Sequence, residues 1–208
     1  MKTRNKVAVA AALAIASAGA SATDIAENGG FETGDFTGWE QFLNDGTQQI
    51  VSFNPSTGTF SANLNVAGGA GNTLIKNTVG AGMLTPGQEV TITFDARGTG
   101  FAGGVAFAEL FSELAGGGTS SSEILGGGPL AVSGDSDVWT TFSFTTTLGP
   151  DVSGGLTLQF VAACGAVPNC KADFYFDNVS ITAVPVPAAV WLFGSALGML
   201  GFGARRRG

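Results

Sequence analysis

The 208-residue sequence predicts an all-β jelly-roll β-sandwich, flanked by an N-terminal signal peptide and a short C-terminal transmembrane helix. Three observations lead to this prediction. Short segments alternate apolar and polar residues, glycine clusters separate these segments, and one long uncharged run lies near each end of the chain. We therefore divide the chain into a signal peptide at 1–22, a β-sandwich domain at 23–183 and a C-terminal segment at 184–208.

The first 22 residues have the three-part layout of a secretory signal peptide. Three basic residues precede the uncharged run 7–20, and the small residues Ala20 and Ala22 occupy the positions that signal peptidase reads. The run is too short for a membrane anchor, because a spanning helix needs roughly 20 apolar residues. We expect export by the Sec machinery and cleavage before Thr23.

Alternation of apolar and polar residues predicts the strands of the middle domain. The clearest cases are 90–94, 142–144 and 156–160, and turn signals separate the strands at the spacing typical of an antiparallel sandwich. The stretch 109–114 is the one candidate for a helix. Glycine and serine residues within 116–128 predict a long flexible loop or hairpin tip, which suits ligand binding and a tolerated insertion equally well.

Charge and composition exclude several classes of function. The sequence has no histidine, so it cannot form a Ser-His-Asp or Cys-His triad and lacks the commonest metal ligand. Sixteen acidic and three basic residues lie between 23 and 183, which gives this domain a net charge of −13 against −7 for the whole chain. Such a surface repels phosphate groups and attracts cations, so nucleic acid is excluded as a partner.

Cys164 and Cys170 are the two cysteines of the chain. An exported protein with two cysteines favours a disulfide, and the small loop between them limits its entropic contribution to about 2 kcal/mol. The C-x-x-C spacing of redox enzymes is absent. We expect a structural disulfide that holds the loop before the last strand.

Asp177 has the strand parity of Tyr175, Val179 and Ile181, which places a carboxylate among apolar side chains. A buried carboxylate must be neutralised, hydrogen-bonded, paired or metal-bound. Arg97 is the basic residue with a side chain long enough to pair with it. Three alternatives stay open: a calcium site, an ion pair or cap, and a solvated carboxylate at the edge of the strand.

Aromatic and acidic residues also raise the question of sugar binding and glycan cleavage. Most aromatic residues at alternating strand positions belong to the core, and two tryptophans are expected to cap the sandwich. No pair among the sixteen acids is singled out as the two carboxylates of a glycosidase, so we expect no enzyme. The candidates for stacking on sugar rings are Trp39, Phe42, Trp139 and Tyr175.

Two segments, NGGFETGDFTGW at 28–39 and FYFDNVSI at 174–181, resemble the two ends of carbohydrate-binding-module-like jelly rolls of the galactose-binding type. The segment LTPG at 84–87 and the strand after Trp139 follow the order of those domains. The resemblance implies a fold used for glycan binding and a structural Ca²⁺ held by Glu32 and Asp177, with Asn28 and backbone carbonyls completing its shell. The ligand-binding residues stay unknown.

The C-terminal segment begins with VPVP, continues as the uncharged run 188–204 and ends in three arginines at 205–207. A helix of 17 residues rises about 25 Å, the short end of what crosses a hydrocarbon core. The arginines Arg205, Arg206 and Arg207 are expected to stay cytoplasmic, with the domain on the other side of the inner membrane.

This order of features, together with the WLFGS core at 191–195, closely resembles the PEP-CTERM sorting signal of exopolysaccharide-producing Gram-negative bacteria. The resemblance implies that an exosortase recognises Pro185, Val186 and Pro187 and cleaves nearby, which releases the protein or transfers it to the cell surface. Val186 stands where the family often has glutamate. A plain C-terminal anchor is the alternative.

The sequence thus predicts an exported, non-catalytic surface or extracellular-matrix protein. Signal peptidase and an exosortase would process it, with transient anchoring in the inner membrane, and polysaccharide is the candidate ligand. A secreted glycan-active enzyme is one alternative, which would need two acids facing one cleft about 5 to 9 Å apart. A structural matrix or adhesion component without a small ligand is the other.

Overall fold

The computed structural model describes residues 22–183, which form two antiparallel β-sheets packed face to face. This part of the chain contains ten strands, one short 3-10 turn at Leu125–Gly127 and no α-helix, which confirms the predicted all-β jelly-roll sandwich. The strands are β1 (Glu40–Phe42), β2 (Thr47–Val51), β3 (Ser61–Ala67), β4 (Gly71–Val79), β5 (Glu89–Phe101), β6 (Val105–Glu113), β7 (Thr119–Ile124), β8 (Thr140–Thr147), β9 (Gly155–Cys164) and β10 (Lys171–Ala183).

The chain passes repeatedly from one sheet to the other. The front sheet has the strand order β1-β4-β9-β6-β7, and the back sheet has the order β2-β3-β10-β5-β8. From β8 onward each strand lies in the sheet opposite to the one before it. The last two strands, β9 and β10, are therefore the central strands of the two sheets.

Alternate residues of the central strands fill the space between the sheets. In β9, Leu156, Leu158 and Phe160 are fully buried. The ring of Phe160 stacks on Phe176 of β10 with centroids 4.2 Å apart, and it contacts Phe94 of β5 edge-on at 4.8 Å. Since Phe176 and Phe94 belong to the back sheet, these three rings join the two sheets into one core.

Trp39 closes one end of this core. Its side chain is 5% exposed, and its ring stacks on Phe160 at 5.7 Å and contacts Phe31 at 5.2 Å. The indole N–H donates to the carbonyl oxygen of Asn28 (3.3 Å). Trp39 is therefore a core residue, as the capping prediction requires, and its ring packs against Phe31 and Phe160.

The β6–β7 hairpin corrects one prediction and decides another. Residues 105–113 are a strand, so the helix considered at 109–114 is wrong; alternate residues such as Ala106, Ala108 and Leu110 are buried, which is the period of a strand. Of the two alternatives for the glycine-serine stretch, the structure shows the hairpin tip, because β7 pairs with β6. Its tip contains three glycines at 116–118 with φ of 129°, 100° and 91°, where side chains would be strained.

Cys164 and Cys170 form the predicted disulfide, with Cα atoms 5.7 Å apart. Cys164 ends β9 in the front sheet, and Cys170 directly precedes β10 in the back sheet. The bond therefore closes the short loop that carries the chain from one sheet to the other. Disulfides of this kind form in oxidising compartments, which agrees with the predicted export.

Residues 1–21 and 184–208 lie outside the described residues. The predicted signal peptide, the motif Pro185-Val186-Pro187 and the arginines at 205–207 belong to these segments, so the structure does not bear on them. Within residues 22–183, no helix has both the length and the apolar character needed to cross a membrane.

Candidate functional site

Asp177 anchors a loop over the outer side of the back sheet. Its side chain is fully buried; Oδ2 accepts hydrogen bonds from the backbone N–H groups of Ser56 (2.8 Å) and Thr57 (2.9 Å), and Oδ1 accepts one from Asn178 (2.6 Å). Burial raises the pKa of Asp177, although the three N–H groups favour its charged form. In the structure this carboxylate therefore caps backbone N–H groups of the 52–60 loop.

Glu32 binds the same loop. Its carboxylate accepts hydrogen bonds from the backbone N–H groups of Phe60 (3.0 Å) and Thr59 (2.9 Å), and these bonds lower the pKa of Glu32. Asn28 acts within its own turn, where its side-chain oxygen accepts a bond from the N–H of Thr33 (3.3 Å) and its amide donates to the Thr33 hydroxyl (2.8 Å).

The three predicted calcium ligands are thus already hydrogen-bonded. Calcium takes six to eight oxygen ligands, but N–H groups bind the side-chain oxygens of Asn28, Glu32 and Asp177. Among residues 22–183, no group of three or more aspartate, glutamate or cysteine side chains is placed to hold a metal ion. This arrangement fits a loop anchor better than a calcium shell, and calcium binding stays a prediction from the sequence.

Arg97 does not pair with Asp177. Its guanidinium lies 3.8 Å from the ring centroid of Tyr175 and 5.0 Å from that of Trp139, and it donates to the carbonyl oxygens of Ser136 (2.5 Å) and Phe53 (3.1 Å). Arg97 is only 2% exposed. Two of the predicted sugar-stacking residues therefore contact a buried arginine beneath two loops.

Two acids lie side by side on the same outer surface of the back sheet. Asp95 of β5 is the cross-strand partner of Asp177. Its carboxylate accepts hydrogen bonds from the hydroxyl groups of Ser56 (2.5 Å) and Thr141 (2.5 Å), and the side chain is buried. This pair is buried under the 52–60 loop, from which Ser56 bonds both carboxylates.

The front sheet presents a different outer surface, which we call the front face. Because Phe160 points into the core, its strand neighbours Gln159 and Val161 point outward. Both are nearly covered nonetheless, with exposed fractions of 7% and 9%. Strand register places Lys76 and Glu109 on either side of Gln159, and Leu74 and Phe107 on either side of Val161.

A polar row crosses the front face. Strand register aligns one residue from each of the five strands, and Gln159 at the centre donates a hydrogen bond to Oε2 of Glu109. The polar row is Glu40 (β1), Lys76 (β4), Gln159 (β9) and Glu109 (β6), and the apolar Ile124 (β7) lies at its end.

Aromatic side chains flank this polar row on both sides. Phe107 and Phe111 precede and follow Glu109 by two residues, so all three point outward, and both rings are half-buried. Phe42, a predicted stacking residue, lies at the β1 edge of the same face, where the Lys76 ammonium is 4.9 Å from its ring centroid.

A shallow groove of about 160 Å³ opens between β6 and β7 on this side of the sandwich. Its lining combines one aromatic ring with hydroxyl and carboxylate groups, which suits a ligand with both C–H faces and hydroxyl groups. The lining residues are Glu109, Phe111, Ser122, Glu123 and Ile124.

Reasoning from the sequence missed Phe107, Glu109, Phe111, Gln159 and Lys76. A signal was present in β6, where the small residues Ala106 and Ala108 alternate with larger ones. A phenylalanine at alternating positions is normally assigned to the core, but here the alanines face the core and the phenylalanines face outward. Register, which the sequence does not reveal, assembles the row.

No protein-family model matches the sequence, and no curated protein matches it significantly. Solved structures are similar at the level of the fold. The enzymatically active domain of bacteriophage CBA120 tailspike protein 4 is 15% identical, with a TM-score of 0.57 over 76% of this chain; the match spans only 21% of that chain.

Two further structures match over almost their whole length. A cyclase from Fischerella sp. TAU is 19% identical, with a TM-score of 0.56, and the match covers 80% of this chain and 99% of the cyclase. The CBM22-1 xylan-binding domain of Paenibacillus barcinonensis Xyn10C is 14% identical, with a TM-score of 0.55 and coverage of 80% and 99%. Other carbohydrate-binding modules are also similar, so this chain has a fold of the carbohydrate-binding-module type.

Proposed function

We propose that this protein is an exported, non-catalytic surface or matrix protein that binds polysaccharide on its front face. The observation that carries the proposal is the polar row with half-buried phenylalanine rings beside it, next to an open groove. Sugar rings offer C–H faces to aromatic side chains and hydroxyl groups to amides and carboxylates. The front face supplies both kinds of contact within one surface.

The charge of the front face favours a neutral polysaccharide. Glu40, Glu109 and Glu113 point to this side, and Lys76 is the basic residue of the polar row. An anionic polysaccharide would meet this excess of carboxylates, in a domain with a net charge of −13. A neutral chain of xylan or glucan type avoids that repulsion and still offers hydroxyl groups to the carboxylates.

Similar structures support this proposal and also define its alternative. The xylan-binding domain from Paenibacillus barcinonensis has the same fold, which supports glycan binding, whereas the Fischerella cyclase has the same fold and is an enzyme. We favour a non-catalytic role because the adjacent pair Asp95 and Asp177 is covered by a loop, while Glu109 is hydrogen-bonded to Gln159.

Binding of the purified chain to neutral and acidic polysaccharides tests the proposal. Phe111→Ala and Phe107→Ala should each weaken binding about tenfold. Stacking of a sugar on an aromatic ring, with the burial that accompanies it, contributes on the order of 1 to 2 kcal/mol per ring. Phe53→Ala is the matched control, because Phe53 is 71% exposed on the 52–60 loop and away from the front face. Absence of binding to every polysaccharide, or equal binding by all variants, would refute the proposal.

The same samples test for catalysis. Release of reducing ends from a bound polysaccharide would favour the glycan-active enzyme. A folded protein that binds no glycan but assembles with matrix material would favour the structural alternative.

We further propose that an exosortase sorts the chain through residues 184–208. Support comes from the ordered motif, the uncharged run and the arginines 205–207, and the Cys164–Cys170 disulfide agrees with export. Replacing Pro185 and Pro187 by alanine should leave the protein in the membrane fraction of an exosortase-containing host. Pro150→Ala, in a loop of the domain, is the control. Unchanged release of the double variant would contradict exosortase recognition.

A further inference from the structure

The edge strand β8 has no strand on its outer side. Within residues 22–183, it pairs only with β5, and its eight residues form an unbroken register with that strand. β8 is the longest edge strand of either sheet, since β1, β2 and β7 have three, five and six residues. An open edge presents N–H and C=O groups that can pair with another strand.

β8 also lacks the features that normally protect an open edge. Residues 140–147, TTFSFTTT, contain no charge, no proline and no bulge in their pairing with β5. β-branched and aromatic residues, which favour strand pairing, make up seven of these eight positions. The acidic residues of the domain, which oppose self-association elsewhere, are absent from the strand.

The sequence of β8 is a palindrome centred on Ser143. Residues 140–146 read TTFSFTT in both directions. If two copies of β8 pair antiparallel about a two-fold axis at Ser143, Thr141 faces Thr145 of the second copy and Phe142 faces Phe144 of the second copy. Aromatic pairs and threonine pairs across antiparallel strands are stabilising, so the strand is complementary to itself.

We propose that two copies of this chain associate through β8, pairing about Ser143 to join their back sheets into one ten-stranded sheet. A two-fold axis satisfies both open edges at once and closes the assembly as a dimer. The outward side chains Thr141, Ser143 and Thr145 are exposed, and among the described residues β8 pairs with β5 alone. The inference does not rest on glycan binding, because β8 belongs to the back sheet and the groove to the front sheet.

Cysteine cross-linking in the full-length chain tests the register directly. Cross-strand partners in an antiparallel pair have Cα atoms about 4.5 to 5.5 Å apart, within the range that a disulfide spans. Ser143→Cys should therefore give a covalent dimer under mild oxidation. The two native cysteines are bonded to each other, so they add no background.

Thr145→Cys is the matched control, because it lies on the same strand and the same side. In the proposed register, position 145 faces Thr141 of the second copy, so the two introduced cysteines lie four residues apart along the strands. Their cross-linking should therefore be at least about tenfold lower than that of Ser143→Cys. Equal cross-linking of the two variants would overturn the proposal. So would the absence of cross-linking in Ser143→Cys at a concentration where the wild type sediments as a dimer.

Ser143→Lys provides a second, independent test. This substitution places two like charges opposite each other at the axis while leaving an exposed position of the monomer. Sedimentation should show loss of the dimer with an unchanged melting temperature of the monomer. A wild type that is monomeric at all concentrations, or a Ser143→Lys variant that stays dimeric, would overturn the proposal as well.

Discussion

Replacing Asp177 by alanine removes the acceptor that holds the 52–60 loop. Three backbone N–H groups donate to this fully buried carboxylate, and a hydrogen bond to a charged group contributes about 1.5 to 3 kcal/mol. Part of this loss in hydrogen-bond energy is offset, because the variant no longer buries a charge and water can hydrate the freed N–H groups. We expect a net loss of about 3 kcal/mol in the free energy of unfolding, because the substitution leaves backbone N–H groups without their acceptor.

Chemical and thermal unfolding followed by circular dichroism measure this loss. For a domain of this size, about 3 kcal/mol corresponds to a fall in Tm of roughly 6 to 12 °C. Asp173→Ala is the matched control on the same strand, where one hydrogen bond, from the Asn63 amide (2.7 Å), is removed; it should cost about 1 kcal/mol. A loss below about 1 kcal/mol for Asp177→Ala would refute the anchoring role.

The same variant separates an anchor from a calcium ligand. If N–H groups alone bind Asp177, EDTA and added Ca²⁺ should leave the Tm of the wild type unchanged, and the loss in Asp177→Ala should be equal in both conditions. A Tm of the wild type that rises by several degrees with Ca²⁺, with no such rise in Asp177→Ala, would instead support the calcium site predicted from Asn28, Glu32 and Asp177.

Three further predictions concern the core, the disulfide and pH. Phe160→Ala should lower the free energy of unfolding by about 3 to 5 kcal/mol in urea titrations, because its ring joins the two sheets; a loss under about 2 would contradict this. Reducing the Cys164–Cys170 bond should cost about 2 kcal/mol in the same titrations, and an unchanged midpoint would show that the loop needs no cross-link. Burial raises the pKa of Asp177 above 3.8, so the folded state binds this proton more readily than the unfolded state; the contribution of Asp177 to stability therefore increases as the pH falls through the raised pKa toward 3.8. Asp177→Asn cannot bind this proton, so the free energy of unfolding of the wild type should increase relative to that of Asp177→Asn on acidification. A constant difference between the two proteins from pH 7 to about 4 would contradict the raised pKa of Asp177.

Features that depend on local alternation could be predicted from the sequence. The strands at 90–94, 142–144 and 156–160 follow from a period of two, and the structure contains them in β5, β8 and β9. The disulfide followed from two cysteines in an exported chain. Each of these inferences uses only residues that are close in sequence.

Features that depend on register could not be predicted in this way. Gln159 and Glu109 are fifty residues apart, and they meet because β9 and β6 pair in one particular alignment. Asp177 is buried, as its strand position suggested, but a β-bulge between Asp177 and Ser180 places it on the outer side of the back sheet and not among apolar side chains. Its partners, the N–H groups of Ser56 and Thr57, lie 121 and 120 residues away in an irregular loop. A backbone donor carries no side-chain signal that a sequence could reveal.

The two surfaces of the sandwich use their charges differently, which bears on where a ligand can bind. On the back sheet, Asp95, Arg97 and Asp177 are buried and their hydrogen bonds hold two loops in place, so little of their bonding capacity remains for a ligand. On the front face, Glu109 and Lys76 are only partly buried and lie beside aromatic rings, although one oxygen of Glu109 accepts a hydrogen bond from Gln159. Their partial exposure is the reason that we place the proposed polysaccharide site on the front face and not on the back sheet.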